Sequence, residues 1–275
     1  MCQDSERPRL ILDAGTGLAR ATALFEGNPL RGTILLGHLH WDHTQGLPFF
    51  PPGDNTASRV RLIAPAQGDI EAVLARMMSP PHFPIRPAQL RGEWSFEGIE
   101  PGRHELEGFE VQALDVPHMG GRMMGYRITH RGASMAYVSD HGPIEAGPGP
   151  EGFGEYHEAI MELTRGVDLL VHDAQYTVEE FWPKAHFGHS TVDYAVALGI
   201  RAGARRLVLF HHDPFHDDTQ VDRILEHCRW LASEADIEIE AAAEGSVIEV
   251  NALPSPFPPH EIHGSRGDPG FAGEG

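Results

Sequence analysis

The sequence has 275 residues, of which 41% are apolar and 22% are charged, a composition typical of a folded globular chain. This composition excludes collagen, coiled coil and wholesale disorder, and a compact fold of this length buries roughly three quarters of its unfolded surface. The formal charge of −19 leaves little basic surface for a long nucleic acid or an anionic membrane. We therefore expect a small substrate.

Cysteine and histidine content bear on the compartment and on metal binding. There are two cysteines, Cys2 and Cys228, which argues against a disulfide framework and for a reducing cytoplasm. No apolar run approaches the roughly 20 residues of a membrane span, and the first seven residues are too charged for a signal peptide. We expect a cytoplasmic protein with no membrane partner, and a homodimer is compatible with the sequence. The 18 histidines, several beside aspartates, are the first indication of a metal.

Short β-branched and leucine-rich runs predict a series of strands along the chain. Helical patterns are found at residues 69–78, from Ser190 onward and at residues 219–234. Residues 190–193 have the form of a capping box, so His189 is expected just before a helix N-terminus. The strands are predicted at residues 9–13, 33–36, 60–64, 109–114, 125–129, 134–139, 168–172, 206–210, 237–241 and 246–250.

Many strands with interspersed helices predict an α/β fold in which a sheet-based core is covered by helices. We expect residues 1–252 to form a single domain and the Pro- and Gly-rich residues 253–275 to form a disordered tail. Residues 142–154 have a similar composition inside the domain and predict a loop, either a surface insertion or a lid.

The segment that carries the most chemical information is GHLHWDHTQG at residues 37–46, directly after a predicted strand. In an extended chain residues two apart point the same way, so His38 and His40 can bind one cation. Asp42 and His43 would diverge on a strand, but a tight turn lets both face a second cation. Four ligand-type side chains within six residues have little packing rationale. Imidazole combined with carboxylate suits zinc first, and manganese or iron second.

Further ligands must come from other strand ends, because one segment cannot complete two coordination shells. His118 follows a predicted strand, and Asp140 and His211 each end another. Each of these residues alone also fits an ordinary loop or turn, but strand ends on one edge of a sheet are where sites are assembled. Three histidines close to such positions are expected to be structural: His141, His172 and His212.

The whole pattern resembles the metallo-β-lactamase superfamily, whose His-x-His-x-Asp-His signature is matched by residues 38–43. The separate His118, GHST at residues 188–191 and LFH at residues 209–211 resemble the ribonuclease Z and phosphodiesterase branch. The resemblance extends over residues 11–250. It implies an αββα four-layer sandwich, with two mixed sheets covered by helices and a dinuclear zinc site on one edge.

The resemblance also implies a role for each site residue. His189 would not be a ligand but would donate a proton to the leaving group, and Asp42 would also orient the attacking water. One departure is Gly37, at a position that usually carries a hydroxyl side chain next to the metal ligands. The implied ligands are His38, His40 and His118 for the first zinc, Asp42, His43 and His211 for the second, and Asp140 bridging both.

The activity favoured by these observations is metal-dependent hydrolysis of a small anionic phosphodiester, such as a cyclic nucleotide. A hydroxide that bridges two zinc ions would attack phosphorus, and His189 would serve as general acid. Transfer RNA 3′ processing, the best-known activity of the branch, is disfavoured by the charge of −19 and by the lack of a basic Gly/Pro-rich arm.

Other functions remain open at this stage. The main alternative is hydrolysis of a thioester, lactone or β-lactam, but those branches place their third histidine in a Gly-His-Thr setting, whereas His118 lies in Pro-His-Met-Gly-Gly. A di-iron oxidoreductase usually has Glu at the position of His40. From a different class, the fold could be a non-catalytic metal-binding partner protein, although no ligand position is visibly lost.

Overall fold

The computed structural model describes residues 7–252, so the predicted tail at residues 253–275 lies outside the described residues. That residues 1–252 form one domain stays a prediction. Within the described range the strands are β1 (Leu10–Leu12), β2 (Arg31–Leu35), β3 (Arg59–Pro65), β4 (Glu93–Ile99), β5 (Gly102–Leu106), β6 (Phe109–Val116), β7 (Met123–His130), β8 (Ala133–Val138), β9 (Leu169–Asp173), β10 (Arg206–Phe210) and β11 (Glu238–Ala241). The α-helices are α1 (Gly17–Ala21), α2 (Ile70–Ala75), α3 (Glu158–Thr164), α4 (Val178–Lys184), α5 (Val192–Ala202) and α6 (Asp218–Leu231).

The strands form two sheets. The smaller sheet has the order β1-β2-β3-β4, and every neighbouring pair is parallel. The larger sheet has the order β11-β10-β9-β8-β7-β6-β5, with parallel pairs from β8 to β11 and antiparallel pairs from β5 to β8. The larger sheet is therefore mixed, as expected, whereas the smaller one is parallel throughout the described residues.

Three apolar clusters separate four layers. Between the sheets, Leu35 of β2 packs in one cluster with Val111 and Tyr126 of the larger sheet. A second cluster lies between the smaller sheet and helices α1 and α2, and a third between the larger sheet and helices α3, α5 and α6. The predicted αββα four-layer sandwich is confirmed. Along residues 7–252, no helix has both the length and the apolar character needed to cross a membrane.

The elements missed by the sequence patterns are mostly polar or short. The strands β4 and β5 lie at sheet edges and contain Glu93, Glu97 and Arg103, so they lack a continuous apolar run. Helices α1, α3 and α4 have five to seven residues, too few for a clear 3.6-residue period. The strand predicted at residues 246–250 was wrong, because these residues are largely exposed and pair with no strand in the described part of the chain.

The topology brings several strand ends to one edge. Strands β6 and β8 are both antiparallel to β7, so their carboxyl ends lie on the same side, which β9 and β10 share through parallel pairing. The residues that follow these ends include His118 after β6, Asp140 after β8 and His211 after β10. The fold thus places three distant positions of the chain at a common edge.

Candidate metal centre

The segment after β2 turns as the sequence predicted. His40 has an extended backbone and caps a short 3₁₀ turn, Trp41–His43, which places Asp42 and His43 on a tight turn. The chain that follows is packed against another loop, because the amide of Gly46 donates to the carbonyl of Ala14 at 2.8 Å. A Cβ on Gly46 would lie 2.0 Å from the carbonyl oxygen of Gly15, so this approach requires glycine.

His118 meets the first two histidines of the segment. Its Nε2 lies 3.2 Å from Nδ1 of His40, and His38 belongs to the same group of mutually close ligand atoms. Two nitrogens bound to one tetrahedral zinc at ~2.05 Å are separated by roughly 3.3 Å, so this spacing suits a shared ion. On the other side of the ring, Nδ1 of His118 lies 2.8 Å from the carbonyl oxygen of Gly188 and donates to it. That bond directs Nε2 toward His40.

Asp140 lies between the two groups of histidines. Its Oδ2 is 3.7 Å from Nε2 of His38 and of His118, and 3.5 Å from Nε2 of His211. Its Oδ1 is 3.2 Å from Nε2 of His43. Asp140 is buried, so a carboxylate at this position faces four imidazoles without exposure to solvent.

A second group of ligand atoms comprises Asp42, His43 and His211. Oδ2 of Asp42 lies 3.2 Å from Nε2 of His43 and 3.5 Å from Nε2 of His211. The Nδ1 of His211 is 2.8 Å from the side-chain amide of Gln175, which fixes the ring orientation. The structure therefore brings together all seven positions that the sequence indicated as ligands.

Asp13 supports the second group, a role that sequence reasoning did not assign. Its carboxylate accepts hydrogen bonds from Nδ1 of His43 at 2.8 Å, from the hydroxyl of Tyr137 at 2.7 Å and from the amide of Gly37 at 2.7 Å. Burial raises the pKa of Asp13, but the charge and hydrogen bond of His43 outweigh it and lower the pKa. The position of Asp13 before an Ala-Gly turn was the available signal.

The buried polar atoms of the cluster fit a cation. Both ring nitrogens of His38, Nε2 of His43 and Oδ1 of Asp140 have no hydrogen-bond partner among the described residues. Because Nδ1–H of His43 donates to Asp13, the lone pair of Nε2 faces the carboxylates of Asp42 and Asp140. Lone pairs and carboxylates directed at one point are stable only with positive charge between them. The donor set therefore fits divalent metal ions of the zinc type.

The same electrostatic field shifts the pKa values of the histidines. Burial lowers the pKa of His38 to about 3, against the opposing charge of Asp140. For His211, burial lowers the pKa, but Asp140 and Asp42 outweigh it and raise the pKa to about 9. Burial also lowers the pKa of His43, but the charge and hydrogen bond of Asp13 outweigh this effect, so the pKa of His43 is raised. The carboxylates thus favour positive charge beside His43 and His211, which a metal ion can supply in place of a proton, and His38 is held neutral and able to bind a metal.

His189 lies beside the cluster and is held by a buried carboxylate. Its Nδ1 is 2.9 Å from Oδ2 of Asp173, and its ring stacks on that of His211 at 4.9 Å between centroids. The predicted cap needs correction, since α5 is capped by Thr191, whose hydroxyl accepts from the amide of Tyr194. Ser190 instead donates its hydroxyl to the carbonyl of His141 at 2.8 Å.

Asp173 was also missed from the sequence, where it stood only as the neighbour of a histidine. Besides His189, its carboxylate accepts from the backbone amides of His141 at 2.8 Å and Gln175 at 3.1 Å. His141 and His172 are buried and face each other at 3.0 Å between Nδ1 and Nε2. Their pKa values are lowered by burial, which suits neutral structural groups.

The glycine before the first histidine has a clear packing reason. A Cβ on Gly37 would lie 3.1 Å from Oγ of Ser139 and 3.1 Å from Cε of Met123. The side chains of Ser139 and Met123 thus occupy the space that a side chain at position 37 would need.

The chain matches the beta-lactamase superfamily domain over residues 8–212. Together with the fold and the His/Asp cluster, this match makes the chain a member of the metallo-β-lactamase superfamily and a metal-dependent hydrolase of that fold. Within the superfamily, the chain is similar to ribonuclease Z.

One relative and two solved structures illustrate this placement. Ribonuclease Z of Listeria innocua is 27% identical over 253 residues, covering 76% of this chain and 79% of the relative. The metallo-beta-lactamase fold protein YhfI of Bacillus subtilis has a TM-score of 0.66 at 18% identity, covering 90% of this chain and 89% of that one. The short form of human tRNase Z has a TM-score of 0.60 at 18% identity, covering 88% of both chains. The two structures show the fold alone.

Proposed function

We propose that the protein hydrolyses a small anionic phosphodiester at a pair of divalent metal ions, with His189 as general acid. The observation that carries the proposal is the position of His189. Its Nδ1 is engaged by buried Asp173, and its ring lines the same cavity, of about 360 Å³, as His40, Asp42 and Asp140. A proton donor beside a metal centre is needed when the leaving group is a poorly stabilised alkoxide.

The ligand groups support two neighbouring sites. His38, His40 and His118 would hold one ion, and Asp42, His43 and His211 the other. The carboxylate of Asp140 reaches both groups and would lie between the ions. The physiological metal would be zinc by its preference for histidine with carboxylate, with manganese or iron as the next candidates.

Bound divalent ions supply Lewis acidity, offset the negative charge of the substrate and lower the pKa of water. The chain's own residues complete the chemistry. Asp42 is more than half exposed, at 55% of its side chain, and can accept a hydrogen bond from the attacking water. Burial raises the pKa of Asp42, but the neighbouring imidazoles of His211 and His43 outweigh it and lower the pKa, so the carboxylate is ionised.

His189 acts at the departing oxygen. With Nδ1–H donating to Asp173, Nε2 is the ring atom left to hold the transferable proton. The Asp173 carboxylate stabilises the positively charged ring before transfer and holds its orientation, as a carboxylate does for the histidine of a hydrolase triad.

The charge of −19 favours a small diester over RNA as the substrate, although the relative from Listeria innocua is named ribonuclease Z. Hydrolysis of a thioester, lactone or β-lactam is the alternative. In a thioester the departing thiolate needs no proton from a side chain, so a thioester substrate leaves the His189–Asp173 pair without a role in catalysis.

The test is turnover of bis(p-nitrophenyl) phosphate by protein reconstituted with zinc or manganese. We expect metal-dependent release of p-nitrophenol and little activity toward thioesters and lactones. Efficient hydrolysis of a lactone or thioester, without metal-dependent turnover of the diester, would overturn the proposal.

A His189→Ala variant tests the proton donor. We expect it to keep its bound metal and to lose most turnover on diesters with alkyl leaving groups, with a smaller loss on p-nitrophenyl esters. Equal losses on both kinds of ester would remove the proposed role. Metal analysis separates an enzyme from a metal-stabilised scaffold, since chelator should abolish activity without unfolding the chain.

A further inference from the structure

We propose that Lys184, Phe187 and Phe215 form a recognition subsite beside the metal centre. Lys184 would bind a phosphate oxygen, and the two phenyl rings would hold a planar ring of the substrate. The inference rests on the proposed phosphodiesterase function and narrows its substrate to a nucleotide-like diester, in which phosphate and planar ring occur in one small molecule.

Positive charge at the wall of the candidate site is concentrated in one residue. The sequence contains a single lysine, Lys184, beside 20 arginines. Lys184 ends α4, and among the described residues that line the 360 Å³ cavity it alone is a lysine or arginine. In a chain with a formal charge of −19, this cation shares the wall of the candidate site with His189 and Asp42.

The ammonium is positioned by two neighbours. Nζ of Lys184 lies 2.6 Å from Oδ2 of Asp213 and 4.9 Å from the ring centroid of Tyr176. An ammonium carries three donors, so the bond to Asp213 leaves two for a ligand. The side chain of Lys184 is 32% exposed, whereas that of Asp213 is 5% exposed. Both residues line the cavity, and the lysine is the more accessible of the two.

Phe187 and Phe215 both line the cavity, with 54% and 90% of their surface exposed. Phe187 lies on the 3₁₀ turn Ala185–Phe187 directly after Lys184. The amide of Phe215 donates to Oδ1 of Asp213 at 2.9 Å. The Lys184–Asp213 ion pair therefore ties together the two segments that carry the rings.

The lysine, the two phenyl rings and the size of the cavity together favour one class of ligand. Rings at the rim of a polar cavity offer a stacking surface for a flat heterocycle, and loss of one stacked aromatic weakens binding by about tenfold or more. The cavity volume of about 360 Å³ lies at the small end of ligand pockets. A mononucleotide diester matches the cation, the rings and the volume together.

The experiment compares two diesters with the same leaving group and the same charge: thymidine 5′-(p-nitrophenyl phosphate) and methyl p-nitrophenyl phosphate. We expect the metal-loaded wild-type protein to prefer the thymidine diester at least tenfold in kcat/KM. Phe215→Ala and Phe187→Ala should each reduce that preference several-fold. Trp230→Ala is the matched control, since Trp230 is 70% exposed on α6 away from the cavity, and it should keep the wild-type preference.

Variants of Lys184 distinguish a role in substrate binding from a purely structural role in the ion pair with Asp213. Lys184→Met should raise KM for the thymidine diester about tenfold with a smaller effect on kcat, and Lys184→Arg should restore most of the affinity. Acylation of the single lysine, followed by mass spectrometry, gives a second measurement on unmutated protein. Thymidine 5′-monophosphate should protect Lys184 from acylation several-fold.

The outcomes distinguish the two proposals. Equal kcat/KM for both diesters in wild type, or an unchanged preference in both phenylalanine variants, overturns the aromatic part of the subsite. Unprotected acylation together with an unchanged KM in Lys184→Met overturns the role of the lysine. Absence of metal-dependent turnover on either diester, with lactone or thioester hydrolysis intact, overturns the proposed function itself and the subsite with it.

Discussion

Nδ1 of His189 lies 2.9 Å from Oδ2 of Asp173, and both residues are buried. The pair joins the turn before α5 to the end of β9. Asp173→Asn should therefore keep the fold and the bound metal while it lowers kcat on alkyl diesters by about 10²-fold, because the amide favours the wrong tautomer of His189. Kinetics combined with elemental metal analysis checks this prediction. Wild-type kcat in the variant would show that Asp173 has no part in positioning His189.

Asp13 offers a test of the support beneath the metal centre. Asp13→Asn weakens the bond to Nδ1 of His43, and we expect metal affinity to fall about 10- to 100-fold. Competition with a chromogenic chelator measures the affinity. The control is Asp54→Asn, a change at a surface ion pair with Arg91, which should leave metal affinity unaltered. Equal affinities in both variants would contradict the orienting role of Asp13.

Two glycines form a matched pair for stability. In Gly46→Ala the new Cβ would meet the carbonyl oxygen of Gly15 at 2.0 Å, so we expect a loss of about 3 kcal/mol or more in the free energy of unfolding. Gly17→Ala places a Cβ in open space at the first residue of α1 and should be neutral or stabilising by up to ~1 kcal/mol. Denaturant titration gives both values, and similar losses would argue against the close approach.

Acid stability should depend on His157. Burial, and then the charge of His172, lower the pKa of His157 to about 4. Because the unfolded chain takes up this proton near pH 6.5, the free energy of unfolding should decrease as the pH falls from 6.5 toward 4. His157 is partly exposed, so solvent screening limits its share to on the order of 1 kcal/mol.

His157→Asn keeps a capping acceptor at the start of α3 and removes the titrating group. The variant should therefore lose less stability than wild type between pH 6.5 and pH 4, as measured by urea titration at each pH. His82→Asn, a change at an exposed loop position, is the control and should follow the wild-type profile. A larger loss of unfolding free energy in His157→Asn than in wild type over this pH range would contradict the prediction.

The sequence predicted the buried strands and the convergence of the seven candidate ligand positions, for physical reasons. The strands next to the site are apolar, and His38, His40 and Asp42 stand at a strand end where chemistry outweighs packing. The polar edge strands β4 and β5 have no such pattern. Asp173 and Gln175 were out of reach, because each acts through a partner farther along the chain, His189 and His211 respectively.

The order of the candidate ligands along the chain has a consequence for biosynthesis. His38, His40, Asp42 and His43 leave the ribosome early, but His211 follows β10 and is among the later parts of the domain to be made. A nascent chain that ends before β10 can offer only an incomplete donor set. If two ions bind as proposed, metal loading is completed late in synthesis, and a fragment truncated before residue 211 should not retain the second ion.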